Sequence, residues 1–352
     1  MFITGLGTAA PATRYSQLEC WEALRTSKRF ETLNSRSQAI LKKVLTGNSG
    51  IATRHLALDS LSDVFNLTPD ALHTRFSTTA PTLGHQAALQ AIENAGIQPG
   101  DVDAVIASTC TGYLCPGLTS YLVERLGLRP TVTTFDLVGQ GCGAALPNLC
   151  SAESLIASGR AQTVLSVCVE VCSAAFYLDD DAGVLISACL FGDGAGAAIL
   201  TDKPNGNRRI KWKIAGTVTK PAVRDLLRFE QKGGMLRNIL RPEVPGLAAG
   251  FVDELLSQVL SRNGVTRADI NGWAFHPGGR DVLVALRDRL KLGDTDLRWS
   301  ETVLREYGNV SSSSLYFVLK AALADSAPAG VWWMSSFGAG FSAHGALLEV
   351  GS

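Results

Sequence analysis

The sequence predicts an α/β protein with sheets covered by helices and an internally duplicated architecture, and three observations carry that expectation. β-type runs alternate with helical ones along the chain. Hydrophobic residues make up 46% and charged ones only 18%, so the 352 residues can bury a large core, as two ordinary domains or one duplicated unit. Finally, GIQPGDVDAVIAS (96–108) is echoed by GVTRADINGWAFH (264–276). In both, a glycine is followed by a β-branched residue, three spacers, Asp, a β-branched residue, Asp or Asn, and an apolar strand. Gly96 and Gly264 stand 168 residues apart, as do Asp101 and Asp269.

Each copy follows a helical pattern, HQAALQAIENA in the first half and GFVDELLSQVLSRN in the second. A second echo pairs FGDGAGAAIL from Phe191 with FGAGFSAHGALL from Phe337, each a glycine-rich lead into a strand of small residues. Two echoes in the same order predict two related halves. The turn-forming TDKPNGNRR (201–209) marks the junction, giving halves 1–205 and 206–352.

Charge and composition narrow the partners. Lys plus Arg and Asp plus Glu both number 32, and no basic block favours nucleic acid or a membrane surface. No run reaches the roughly 18 to 20 apolar residues of a membrane span, and the N-terminus lacks a signal-peptide pattern, so the chain reads as cytoplasmic. The eight cysteines are scattered through apolar sequence and are expected as reduced thiols. Structural zinc on Cys110, Cys115, Cys168 and Cys172 is not expected, because they form no CxxC pairs and have no histidines nearby. GDGAG at 192–196 is not GxGxxG, and a strand rather than a helix is expected after it.

The chemistry is expected at GQGCGAALPNL (139–149), where Cys142 sits between glycines, after the β-rich TVTTFDLV and before a helical segment. Buried cysteine in an α/β protein is ordinarily a small hydrophobe. Here Gly141 and Gly143 permit unusual backbone angles and clear space around the sulfur, and a helix N-terminus is expected to lower the thiol pKa. Such a nucleophile needs a base and an oxyanion partner. GWAFHPGGRD sets His276 at a strand end before Pro277, and EYGNVSSSSLYFVLKAAL sets Asn309 in a turn before a helix that Ser311 to Ser314 would cap. Singly, a lone histidine is more often structural, and Asn after Gly is ordinary turn chemistry. Together with Cys142 in a duplicated chain they form a candidate constellation.

GQGCGAAL, FGDGAGAAIL, AFHPGG, EYGNVSSSSLYFVL and FGAGF occur in the order found in type III polyketide synthases, the chalcone-synthase-like members of the thiolase superfamily, which this chain resembles over nearly its whole length. The resemblance implies a thiolase-like five-layer α/β/α/β/α fold built from two duplicated halves and assembled as a homodimer. It implies a triad of Cys142, His276 and Asn309. Cys142 would take an acyl starter from coenzyme A, His276 would hold the thiolate as an ion pair, and Asn309 with His276 would stabilise the enolate of malonyl-CoA during decarboxylation. An oxyanion donor of this kind is worth ~3 kcal/mol. The substrates would be malonyl-CoA and an acyl-CoA starter, with no metal or redox cofactor. Phe191 matches the gatekeeper between coenzyme A tunnel and reaction cavity, and Cys115 the position that reaches the partner subunit's cavity.

Departures from the plant chalcone-forming pattern bear on the substrate. Cys110 in STCTGYLCPG and Cys172 in VEVCSAAF replace hydroxyl residues, and Ala175 replaces a threonine, so a more apolar cavity is expected. The second gate phenylalanine has no clear counterpart in GGMLRNILRPEVPG, and Ala339 stands where the terminal loop usually has proline. Lys42 and Lys43 are the nearby candidates for the basic coenzyme A contacts. These features resemble bacterial members that make alkylresorcinols, alkylpyrones or tetrahydroxynaphthalene, and favour a fatty acyl starter over an aromatic one. A synthase using malonyl-CoA alone, a chain-initiating ketoacyl-ACP synthase and a binding protein on a retired thiolase scaffold are the alternatives. HPGG argues against the ketoacyl-ACP synthase and the retained triad against the binding protein.

Overall fold

The computed structural model describes residues 1–204, 210–325 and 327–351. The first half runs β1 (Phe2–Ala9), β2 (Arg14–Ser16), α1 (Gln17–Arg25), α2 (Lys28–Glu31), α3 (Ser35–Thr46), β3 (Thr53–His55), α4 (Pro69–Ala95), β4 (Ala104–Ser108), α5 (Leu118–Leu126), β5 (Thr133–Leu137), α6 (Ala145–Ala157), β6 (Thr163–Glu170), α7 (Ala182–Leu190) and β7 (Gly194–Thr201). The second runs β8 (Ile210–Thr219), β9 (Leu227–Lys232), β10 (Met235–Leu240), α8 (Val244–Asn263), β11 (Ile270–Phe275), α9 (Arg280–Leu290), α10 (Arg298–Tyr307), α11 (Ser314–Ala324), β12 (Gly330–Gly338) and β13 (Ser342–Val350). The expected boundary between residues 205 and 206 lies outside the described residues.

The halves share one topology. The sheet order is β11-β12-β13-β8-β1-β7-β6-β4-β5, and among the described residues β1 meets β8 through Phe2 and Ile3. On either side of that seam the pattern is the same: β1 antiparallel to β7, β7 to β6, and β6 parallel to β4, matched by β8 antiparallel to β13, β13 to β12, and β12 parallel to β11. Helices α6 and α11 touch strands of both halves, whereas α4 packs on β1, β7 and β6, and α8 on β8, β13 and β12. Five layers result, with α6 and α11 as the buried middle one.

Local chemistry explains why the first echo is visible in sequence. Helices α4 and α8 end at Gly96 and Gly264, both left-handed with φ of 65° and 63°. A 3-10 turn then follows in each half, Pro99–Asp101 and Arg267–Asp269. Asp101 and Asp269 each accept a 2.8 Å hydrogen bond from the backbone N–H three residues earlier, closing the turn before β4 or β11. The second echo holds for the strands β7 and β13 but not for their leads. Phe191 follows α7, while Phe337 lies within β12, because the first half inserts residues 171–193 where the second makes a direct hairpin.

Helix α4 also shows why the outer layer fits so closely. Ala87, Ala91 and Ala95 face Gly5 and Gly7 of β1, and a Cβ at Gly7 would stand 2.0 Å from the Ala87 carbonyl oxygen. Any side chain there would push helix from sheet and open the apolar layer between them.

Candidate active site

Cys142 sits in a 3-10 turn, Gly141–Gly143, that carries the chain from β5 into α6. Gly141 has φ of 54°, and a Cβ at Gly143 would come within 3.0 Å of the His344 ring. Both glycines are therefore required, one by conformation and one by the approach of the second half. Asn148, fully buried on α6, donates to the carbonyls of Ile106 on β4 and Val167 on β6, both at 3.1 Å, which fixes the helix and with it the cysteine.

The second half presents a matching turn. Ser311–Ser313 forms a 3-10 turn at the start of α11, and Ser311, with φ of 49°, is left-handed as Gly141 is. The expected serine cap is thus a structured turn, and Ser312 stands where the other half has Cys142. A non-glycine residue held left-handed costs of order 1 kcal/mol and persists only where its surroundings demand it. Here they do: Ser311 N–H donates to Asn309 Oδ1 at 2.9 Å and its hydroxyl lies 3.3 Å from Cys142 Sγ.

His276 directly follows β11, and its N–H donates to Ser335 O of β12 at 2.9 Å. Its ring stands edge-on to Phe337, centroids 5.2 Å apart, and among the described residues neither ring nitrogen has a hydrogen-bond partner. Burial holds its pKa down at about 3, so the imidazole is neutral. Asn309 Nδ2 donates to Gly278 O at 3.2 Å, tying it to the HPGG turn. Its backbone pairs with the gate segment: Asn309 N–H donates to Leu190 O at 2.9 Å, and Gly192 N–H to Asn309 O at 3.0 Å. Asn309 is thus tied to the Cys142 turn through Ser311, to the turn after His276 through Gly278, and to the segment that carries Phe191.

One expectation is corrected. Burial pushes the Cys142 thiol up to about 12, against the pull of the Ser311 hydroxyl, with Glu170 adding to the rise. Burial thus raises the Cys142 thiol and lowers the His276 imidazole, each away from its charged form.

Glu170, at the end of β6, was not anticipated and is central. It is fully buried, and burial raises its carboxyl above the ordinary range despite several donors. Cys110 N–H at 3.1 Å, Thr111 Oγ1 at 2.9 Å, Ser311 Oγ at 3.3 Å and the Ser312 hydroxyl surround it. A glutamate inside the apolar run TVLSVCVEV was the signal available in the sequence.

A cavity adjoins this cluster. Thr111, Ser311, Cys172, Ala175 and Phe191 line it, and its far wall is aliphatic, with Leu24, Leu41 and Leu45 from α1 and α3. Asp193 holds the Cys172–Ala175 turn by accepting from Ser173 N–H at 2.8 Å and from its hydroxyl at 2.6 Å. Cys110 is not in the cavity wall. Its thiol turns 3.4 Å from Glu170, and Thr111 beside it takes the wall position. Lys42 and Lys43 are exposed on the outer face of α3, opposite Leu41, and Cys115 is exposed on a loop. All eight cysteines are free. Among the described residues no helix is long and apolar enough to cross a membrane.

A cysteine on a glycine elbow at the start of a central helix, faced by the matching turn of a duplicated half, sits in a thiolase-like fold as its candidate nucleophile. Residues 10–227 match the family model for FAE1/type III polyketide synthase-like proteins, and residues 227–348 that for the C-terminal domain of chalcone and stilbene synthases. The chain is 29% identical to 3,5-dihydroxyphenylacetyl-CoA synthase of Streptomyces toyocaensis, over 99% of this chain and 89% of that one. It is 28% identical to the alpha-pyrone synthesis polyketide synthase-like Pks18 of Mycobacterium tuberculosis, over 99% and 91%. The crystal structure of 1,3,6,8-tetrahydroxynaphthalene synthase from Streptomyces coelicolor A3(2) superposes with a TM-score of 0.91 at 22% identity, covering all of both chains. This protein belongs to the type III polyketide synthase family, acyltransferases that condense malonyl-CoA.

Proposed function

We propose that Cys142 carries the growing chain as a thioester and that the starter is a fatty acyl group, extended with malonyl-CoA and closed to a pyrone or resorcinol. The observation that carries the starter assignment is the cavity wall. Beyond Thr111 and Ser311 at the catalytic end, Leu24, Leu41, Leu45, Leu56 and Val64 offer aliphatic surface to methylenes, while Ser173, Ser187 and Arg54 of the same wall are already bonded to protein partners.

In this reading the acyl-CoA carbonyl approaches Cys142, His276 takes the thiol proton as the sulfur attacks, and coenzyme A leaves as its thiol. A neutral imidazole whose nitrogens have no partner among the described residues suits that base role. Malonyl-CoA then enters, and its thioester oxygen accepts from Asn309 Nδ2 and from His276, so carbon dioxide departs as an enolate forms. The enolate carbon attacks the Cys142 thioester, the sulfur is expelled, and transfer of the lengthened chain back to Cys142 begins the next cycle. Phe191 bounds the passage. Its carbonyl is held by Arg54 Nη1 at 3.0 Å, so the gate is anchored by its backbone and its ring is left to move.

The chain is read as two halves, 1–205 and 206–352, and as a homodimer in the cytoplasm. Strand β5 is an open sheet edge with Thr133–Asp136 exposed, and Phe135, Val138 and Tyr113 present apolar surface at 42%, 62% and 70% exposure. Cys115 lies on the same loop as Tyr113, within reach of a second copy's cavity in that assembly.

Product mass spectrometry tests this reading with malonyl-CoA alone and with acyl-CoA starters of increasing length, 4-coumaroyl-CoA included. Preferred use of medium or long starters supports it. A preference for 4-coumaroyl-CoA, or full activity on malonyl-CoA alone, sinks the fatty acyl assignment.

A further inference from the structure

Both residues that flank Cys142 are pressed by one hairpin of the second half. A Cβ at Gly141 would stand 3.1 Å from Ala339, in the turn between β12 and β13, and a Cβ at Gly143 would stand 3.0 Å from the ring of His344 on β13. A row of polar side chains fixes that hairpin. Ser336 of β12, His344 of β13 and Thr217 of β8 are direct partners across three adjacent strands, so they share one face of the sheet. The Ser336 hydroxyl donates to Gly143 O at 3.0 Å. His344 is buried, yet both its nitrogens are matched, Nδ1 at 2.9 Å from Thr217 Oγ1 and Nε2 at 3.1 Å from Ser342 Oγ. The Ser342 hydroxyl gives its one proton to Ala339 O at 3.1 Å, so toward His344 it accepts. Nε2 therefore carries the imidazole proton, and Nδ1 accepts from the Thr217 hydroxyl. The relay runs in one direction, from Thr217 through His344 and Ser342 to the Ala339 carbonyl. A leucine would fill the same buried site without needing partners, but it would join neither β8 nor the turn to the elbow.

We propose that His344 is a positioning residue that holds the Ala339 turn against Gly141 and Gly143 and so keeps the Cys142 sulfur aimed for thioester exchange. The proposal rests on Cys142 as the nucleophile. His344 touches no substrate and moves no proton in the reaction. It acts through the two glycines, because the elbow that carries the sulfur has a neighbour on each side and both neighbours belong to this hairpin. With the relay cut, Ala339 O loses its donor and the turn is no longer fixed against the elbow. The thiol keeps its burial and its Ser311 partner, so its intrinsic reactivity stays, whereas its aim does not. A thioester carbonyl held in a closed site has to be met along one line, and a misplacement of about 1 Å costs on the order of a hundredfold in rate. A small alkylating reagent turns to meet the sulfur and does not register that loss.

His344→Leu, His344→Gln and Ser342→Ala test this in the full-length protein. Leu keeps only the bulk, Gln sets an amide N–H near the place of Nε2, and Ser342→Ala leaves the ring but cuts the link to Ala339. Intact-protein mass followed in time reads acylation of Cys142 across a range of acyl-CoA concentrations, and iodoacetamide alkylation of the Cys142 peptide reads the thiol itself. The Leu and Ala variants are each expected to lower the maximal acylation rate by about tenfold or more, at an unchanged half-saturating concentration and an unchanged alkylation rate. His344→Gln is expected to stay within about threefold of wild type, and the double variant His344→Leu with Ser342→Ala to be no slower than the slower single one, as links of one chain require. A wild-type acylation rate in Ser342→Ala overturns the proposal, also where the Leu variant does not fold. So does a rise in half-saturating concentration alone, which assigns the row to substrate binding. Parallel loss of acylation, alkylation and melting temperature in all variants, Gln included, makes His344 structural and overturns it too. Absence of loading in the wild type sinks the Cys142 reading, and this proposal falls with it.

Discussion

The Ser311 hydroxyl lies 3.3 Å from Cys142 Sγ and 3.3 Å from Glu170 Oε1, so a side chain of the second half bridges a thiol and a carboxyl of the first. One hydroxyl carries one proton, and the bond to sulfur is the one that lowers the thiol pKa.

Removing that hydroxyl therefore has a defined sign. Ser311→Ala takes away a donor to the forming thiolate, worth about 1.5–3 kcal/mol for a hydrogen bond to a charged group. Alkylation of Cys142 by iodoacetamide at a fixed alkaline pH, followed on its own peptide, is expected to slow by about tenfold or more. An unchanged rate would mean that the contact does not reach the thiolate.

Asn309 divides loading from decarboxylation. Asn309→Ala is expected to keep acylation of Cys142 while slowing carbon dioxide release from malonyl-CoA by about a hundredfold, the scale of one oxyanion donor. Its side chain also receives the Ser311 N–H and donates to Gly278 O, so the melting temperature needs to be read beside the rate. Normal decarboxylation in a folded variant would reduce Asn309 to a turn residue.

Ala175 offers a test of the cavity. It ends the turn held by Asp193 and lines the wall beside Cys172, so an indole there fills space that several methylenes would use. Ala175→Trp is expected to lose kcat/KM for long acyl-CoA first and to retain acetyl-CoA. Equal losses at every chain length would instead indicate general damage to the fold.

Acid sensitivity follows from two histidines. Burial holds His276 at about 3 and His344 at about 4, both below the ordinary 6.5. The folded state stays neutral where the unfolded chain takes up protons, so their contribution is complete above pH 6.5 and falls away down to about pH 4 for His344 and about pH 3 for His276. Lowering the pH from 7 to 5 costs about 2 kcal/mol at each site. Glu170 and Asp193, raised by burial, act in the opposite sense, losing stability as pH climbs above their unfolded values. The difference between wild type and His344→Gln in urea unfolding is thus the useful measure, and it is expected to shift in the variant's favour by about that amount at pH 5. A pH-independent difference would show that His344 is not held neutral.

Much of this was legible along the chain because it is local. A left-handed glycine ending a helix, an aspartate closing the next turn and a cysteine between glycines each depend on a few neighbouring residues, so the duplicated halves and the Cys142, His276 and Asn309 stretches could be read directly. Tertiary structure decided what depends on burial and on distant partners. It turned Cys110 away from the cavity and onto Glu170, and raised the thiol that the sequence led one to expect lowered. The physical reason is the same in each case. Desolvation and hydrogen bonding are set by which strands of the two halves face one another, and residues as far apart as Cys142 and Ser311 meet only once both turns are folded against each other.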